Sequence, residues 1–91
     1  MGPVDLARLA RAVALDVVRL EDGDWLVSGG AQPHHVSADG RSCDCWDHAV
    51  HEGIICKHRT RILLARGDAA AWAGLRALVA QPRRRRRTVA P

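Results

Sequence analysis

The chain has 91 residues, a formal net charge of +4 and 47% apolar residues, with three Trp and no Phe or Tyr. That length limits it to one domain, and so few large side chains make a modest core that calls for a staple. Three cysteines are an odd number for a disulfide framework, no charged-then-apolar leader opens the chain, and no apolar run approaches a membrane span. These features argue against a secreted scaffold or a membrane protein and lead us to expect a reducing, cytoplasmic setting, the bacterial cytoplasm or nucleoid.

Gly2-Pro3-Val4-Asp5 suits the start of a helix, with Pro tolerated in the first turn and Asp5 near the positive end. Leu6, Leu9, Ala10, Val13 and Ala14 recur at helical spacing and predict a helix over 4–14 with one apolar stripe. The period then changes. Val17-Val18 with Leu20 and Trp25-Leu26-Val27-Ser28 flank Asp22-Gly23, the pattern of a hairpin. A short third strand at His34-His35-Val36-Ser37 follows Pro33, one histidine packed and the other exposed. A turn at Asp39-Gly40 then delivers the chain to Cys43.

Cys43-Asp44-Cys45 and Cys56-Lys57-His58 stand ten residues apart, a C-x-C-x10-C-x-H pattern that uses every cysteine of the chain. Two tight pairs of soft or borderline donors suit a tetrahedral Zn2+, and an iron–sulfur cluster is the alternative for the same ligands. A structural zinc site would also supply folding energy. The simplest competing reading is scattered buried thiols and a surface histidine; the paired spacing argues against it. Three thiolates around a divalent ion carry a net −1 in formal charge, which Lys57, Arg59 and Arg61 lie close enough in sequence to offset, while amides at the start of the following helix can donate to sulfur.

Between the pairs, residues 46–53 make one or two helical turns closed by Gly53. His48 and His51 are spare candidates for the metal, or simply solvated polar residues. Trp46 either shields the sulfurs, the reading we favour, or presents its ring to a base or partner. A helix over 57–66 carries Ile62, Leu63 and Ala65 and stops at Gly67; Asp68 then caps a further helix over 68–80 with Ala69, Trp72, Leu75, Leu78 and Val79. Trp25 is assigned to the core, and Trp72 is expected to pack back on the rest of the chain.

The segment 17–66 resembles the SWIM zinc finger, whose signature is C-x-C, a variable spacer and C-x-H. Trp25-Leu26-Val27 and His35-Val36-Ser37 look like its strands, and Cys56-Lys57-His58 with Ile62-Leu63-Leu64 looks like its Cys-Lys-His plus apolar helix. The resemblance implies Cys43, Cys45, Cys56 and His58 as metal ligands in a β-β-α unit. Members occur beside helicase-like ATPases, in transposase-like proteins and in recombination accessory factors, which implies DNA binding or protein–protein contact. This chain has neither an ATPase motif nor a transposase core.

The expected architecture is a small α+β domain: an N-terminal helix (1–16), a zinc finger with a three-stranded antiparallel sheet and a zinc knuckle (17–66), a C-terminal helix (67–81) and a basic, flexible tail (82–91). Arg83, Arg84, Arg85, Arg86 and Arg87 form one run, and without their charges the remainder is close to neutral. Such a run condenses on phosphates without sequence preference, or merely solubilises. The function expected is therefore a non-catalytic module that binds nucleic acid, DNA ahead of RNA, through Arg83–Arg87 together with Lys57, Arg59 and Arg61. The alternative is a protein adaptor for a helicase or recombinase docking through helices 4–14 and 68–80, in which a homodimer is also plausible. His51-Glu52 resembles part of a zinc-hydrolase motif. The other ligands and a general base are not correctly spaced, however, and four protein ligands leave no position for an activated water, so no enzyme is expected.

Overall fold

The computed structural model describes residues 4–51 and 53–80. Helix α1 covers Leu6–Ala12, and the Asp5 carboxylate caps it by accepting from the Arg8 amide at 2.9 Å. This satisfies one of the amides that every helix start leaves without a partner. The helix is shorter than the expected 4–14. Leu15 N–H donates to Ala12 O at 3.0 Å, and this turn sends Leu15 under the sheet, where it is buried. The expected apolar stripe is narrowed accordingly. Leu9 and Ala12 are buried, whereas Leu6, Ala10, Val13 and Ala14 are exposed.

Strands β1 (Asp16–Arg19), β2 (Trp25–Ser28) and β3 (His34–Val36) form the expected antiparallel sheet in the order β1-β2-β3. Val17 faces Val27, and Trp25 faces Arg19 on one side and Val36 on the other. In the β1–β2 loop, Leu20 N–H donates to Asp24 O at 2.8 Å and Asp24 N–H to the Asp22 carboxylate at 2.9 Å. Period-2 alternation turns Trp25 and Val27 inward with Val36. Trp25 is in the core as expected. Its indole N–H reaches Ala38 O at 3.3 Å and the Arg19 guanidinium covers its ring at 4.5 Å.

Three helices complete the fold: α2 (Trp46–Val50), α3 (Lys57–Ala65) and α4 (Ala69–Ala80). Asp68 caps α4 as its sequence position suggests, accepting from Ala71 N–H at 3.0 Å. α3 is the wall between two small cores. On its sheet side Ile62 packs with Leu15, Trp25, Val27, Val36 and the three cysteines. On the other side Leu63 and Leu64 join Leu9, Ile55 and Ala71 between α1 and α4. The absence of a side chain at Gly74 sets the approach of α4 to α1, because a Cβ there would stand 3.1 Å from Leu9 Cδ2.

α4 buries only part of its apolar stripe. Ala71 is fully buried and Leu75 packs against the second core, but Trp72 and Val79 are exposed. Trp72 is anchored at one end, its indole N–H donating to Leu64 O at 3.0 Å near the C-terminus of α3. Among the described residues no helix is long and apolar enough to cross a membrane. The segment Arg83–Arg87 and Glu52 lie outside the described residues.

Candidate metal centre

A definite local device holds each of the four expected ligands. Val36 and Cys43 form an antiparallel bridge, so Cys43 continues the sheet beyond β3. The turn before it needs Gly40. This residue has φ +76°, which costs other L-residues strain, and a Cβ there would touch Ile62 Cγ2 at 3.4 Å. Asp44 ties the knuckle to β3, accepting from His34 Nδ1 at 2.8 Å and from the His35 amide at 3.2 Å.

Cys45 and Cys56 are the N-caps of α2 and α3. Both have extended backbone, and their sulfurs accept from His48 N–H at 3.4 Å and Arg59 N–H at 3.5 Å. A cysteine sulfur thus takes the place usually held by Ser or Asp, where helix amides and dipole favour negative charge. The expected amide donors to sulfur are present. His58 follows in the first turn of α3, and its Nδ1 stands 3.7 Å from Cys43 Sγ. With metal–sulfur bonds of about 2.3 Å and a metal–nitrogen bond of about 2.0–2.1 Å, a tetrahedral S···N edge is about 3.6 Å. The geometry therefore assigns Nδ1 as the donor atom.

All four donor atoms lie within 4.8 Å of one another, and all four residues are buried. Together they form a possible metal-binding site whose chemistry fits a soft or borderline divalent ion. The protonation pattern says the same. The hydrogen bond between Cys43 and Cys56 pushes the Cys43 thiol well above its ordinary value and pulls Cys56 down to about 4. Burial raises Cys45. A dication would remove the penalty that burial and mutual repulsion place on ionising the three sulfurs together.

Several neighbours have roles the sequence reading did not give them. Arg59 is buried, and its Nε donates to Gly40 O at 2.8 Å. It pins the turn that presents Cys43 to the helix that carries Cys56 and His58. Arg61 Nε donates to Leu15 O at 2.9 Å. Both guanidiniums are thereby engaged inside the chain, so Arg59 in particular is placed as a structural clamp rather than on a phosphate-binding surface; Lys57 remains partly exposed. His34 packs against His58 with ring centroids 4.3 Å apart and the ring planes tilted by 43°. Its i, i+2 relation to buried Val36 is the signal that marks it as the packed member of the pair.

Trp46 corrects an expectation. It does not shield the sulfurs but stands 73% exposed, with His51 edge-on at 5.9 Å between ring centroids. The cap at Cys45 starts α2 there and turns the next side chain outward. His48 and His51 are not among the metal cluster: His51 Nδ1 and Arg8 both bond Asp47, and the Arg8 fork spans its two oxygens at 2.7 Å each. This pair joins α1 to α2 and holds the Asp47 carboxyl at about 2. A second group, Asp22, Asp24 and His35, sits at the surface, where Asp24 is taken up by His35 Nε2 at 3.1 Å and Ala38 N–H at 2.9 Å.

Comparisons with protein-family models, with curated proteins and with solved structures find no match to this chain.

Proposed function

We propose that the chain is a zinc-stabilised, non-catalytic module of the SWIM type that binds nucleic acid, DNA in the first place. The observation that carries this reading is the buried Cys43, Cys45, Cys56 and His58 cluster, in the order and spacing of that finger, at a bridge beyond β3 and at the start of α3. Zinc is the metal that best suits three thiolates and one imidazole in a closed tetrahedron. Four protein donors leave no open position for a water, which supports a structural role over hydrolysis. The Arg83–Arg87 run supplies electrostatic grip, and Lys57 adds a cation beside the finger.

Elemental analysis of purified protein tests the metal; one zinc per chain is expected. Fluorescence anisotropy with a labelled DNA at two salt concentrations tests the partner. Affinity should fall steeply with salt and on replacing Arg83–Arg87 by Gln. Affinity indifferent to both would refute the reading.

A second reading is a protein adaptor, supported by α4. Trp72, Leu75 and Val79 line an almost wholly apolar hollow of about 330 Å³ on its outer face. Recovery of a specific host protein that is lost with Val79→Asp, with DNA affinity unchanged, would favour it.

A further inference from the structure

A cleft of about 490 Å³ opens beside the metal centre, between α1, the chain ahead of β3, the start of α2 and the start of α3. Its walls include Arg8, Arg11, Asp44, Trp46, Asp47 and Lys57, together with the candidate ligands Cys45 and His58. The carboxylates have partners of their own: Asp47 is held by the Arg8 fork and Asp44 by His34. Among the described residues, no ion pair engages Arg11 or Lys57. Trp46 stands in the same cleft with its ring largely exposed, braced at one side by His51. An uncovered indole is expensive in a chain with only three tryptophans and so little core.

We propose that this cleft takes one unstacked nucleotide of a single-stranded nucleic acid, its base on the Trp46 ring and its phosphate at Arg11 and Lys57. The inference rests on the nucleic-acid reading above and narrows it to the single-stranded form. A flat ring can stack only on a base with a free face. In a duplex both faces of each base are covered by neighbours, whereas an unpaired strand offers every base to an aromatic platform. Two cations that no ion pair engages among the described residues line the same cleft as that ring, which matches the alternation of base and phosphate along a strand. An acidic peptide would use the cations but has no need of the indole face.

The test uses the full, metal-loaded chain and anisotropy with labelled oligo-dT, oligo-rU and a DNA duplex, with poly-glutamate as competitor. Trp46 is exposed and Arg11 lies on the outside of α1, so Trp46→Ala and Arg11→Gln should keep one metal per chain and an unchanged circular dichroism spectrum. The single strands are expected to bind more tightly than the duplex. Trp46→Ala should weaken single-strand binding by about 5- to 100-fold. Arg11→Gln and Lys57→Gln should each reduce the slope of log affinity against log salt by about 0.7. If the wild type binds no nucleic acid, this inference and the proposed function fall together. If binding depends on Arg83–Arg87 but ignores Trp46→Ala and Arg11→Gln, the tail acts alone and only the cleft is overturned. Equal affinity for duplex, or displacement by poly-glutamate that depends on Trp46, would overturn it as well.

Discussion

Removing the metal should unfold the whole domain rather than loosen one loop. A chain of 91 residues has a net stability of about 5–15 kcal/mol, while a structural zinc contributes about 10–16 kcal/mol of apparent binding energy at neutral pH. The sheet-side core consists of Leu15, Trp25, Val27, Val36 and Ile62 with the three cysteines, so it has few large groups once the thiolates lose their ion. Two helix caps weaken in the same step, because Cys45 and Cys56 serve both metal and backbone, and a cap is typically worth about 1 kcal/mol. The metal's contribution is thus of the same order as the total. Titration with a tight chelator should abolish far-ultraviolet circular dichroism and the dispersed indole resonance of Trp25 in one coincident transition, and readdition of zinc should restore both. A chelated, demonstrably metal-free chain that keeps its cooperative melt at an unchanged temperature would refute the reasoning.

Acid should release the metal steeply, since about four donors take up protons together. A tenfold rise in free zinc should therefore move the acid midpoint down by about 0.25–0.3 pH units in a dichroism titration. The Asp47 carboxyl sits at about 2, below its ordinary 3.8; its contribution to stability is complete above the higher value and is lost as pH falls through the lower. Asp47→Asn should accordingly lower the melting temperature at pH 5 and above, with the difference shrinking in high salt. Arg59→Ala removes a buried charged donor from Gly40 O and should cost about 1.5–3 kcal/mol in chemical denaturation, with weaker zinc retention. Gly40→Ala places a Cβ at φ +76° and 3.4 Å from Ile62 Cγ2, and should cost about 1–2 kcal/mol by the same assay.

Much of the metal end was readable because it depends on local pattern. The Cys and His spacing, the Asp22-Gly23 hairpin and the Asp68 cap each act within a few residues, and the α+β order of elements follows from them. What escaped depends on choices between distant groups. Leu6, Leu9 and Val13 share a helical period, and Leu6 and Leu9 both approach Gly74 of α4, yet only Leu9 is buried; the burial of Leu15 ends the helix before the rest of the stripe is used. Arg59 reads as a surface cation until Gly40, nineteen residues away in sequence, is found to receive it. Trp46 looked like a shield by adjacency to Cys45, but the cap that fixes the sulfur also sets the next residue's direction.

α3 belongs to both halves of the molecule, and that sharing has a consequence for how the domain would evolve. Because α3 brings Cys56 and His58 to the cluster and Leu63 and Leu64 to the second core, the grip on an ion held there and the docking of α1 and α4 would be thermodynamically reciprocal. A substitution at Leu9, which belongs to the other core, would register as metal leakage. Selection for tighter retention in a zinc-poor cell could then act on the helical flank while leaving the ligands untouched.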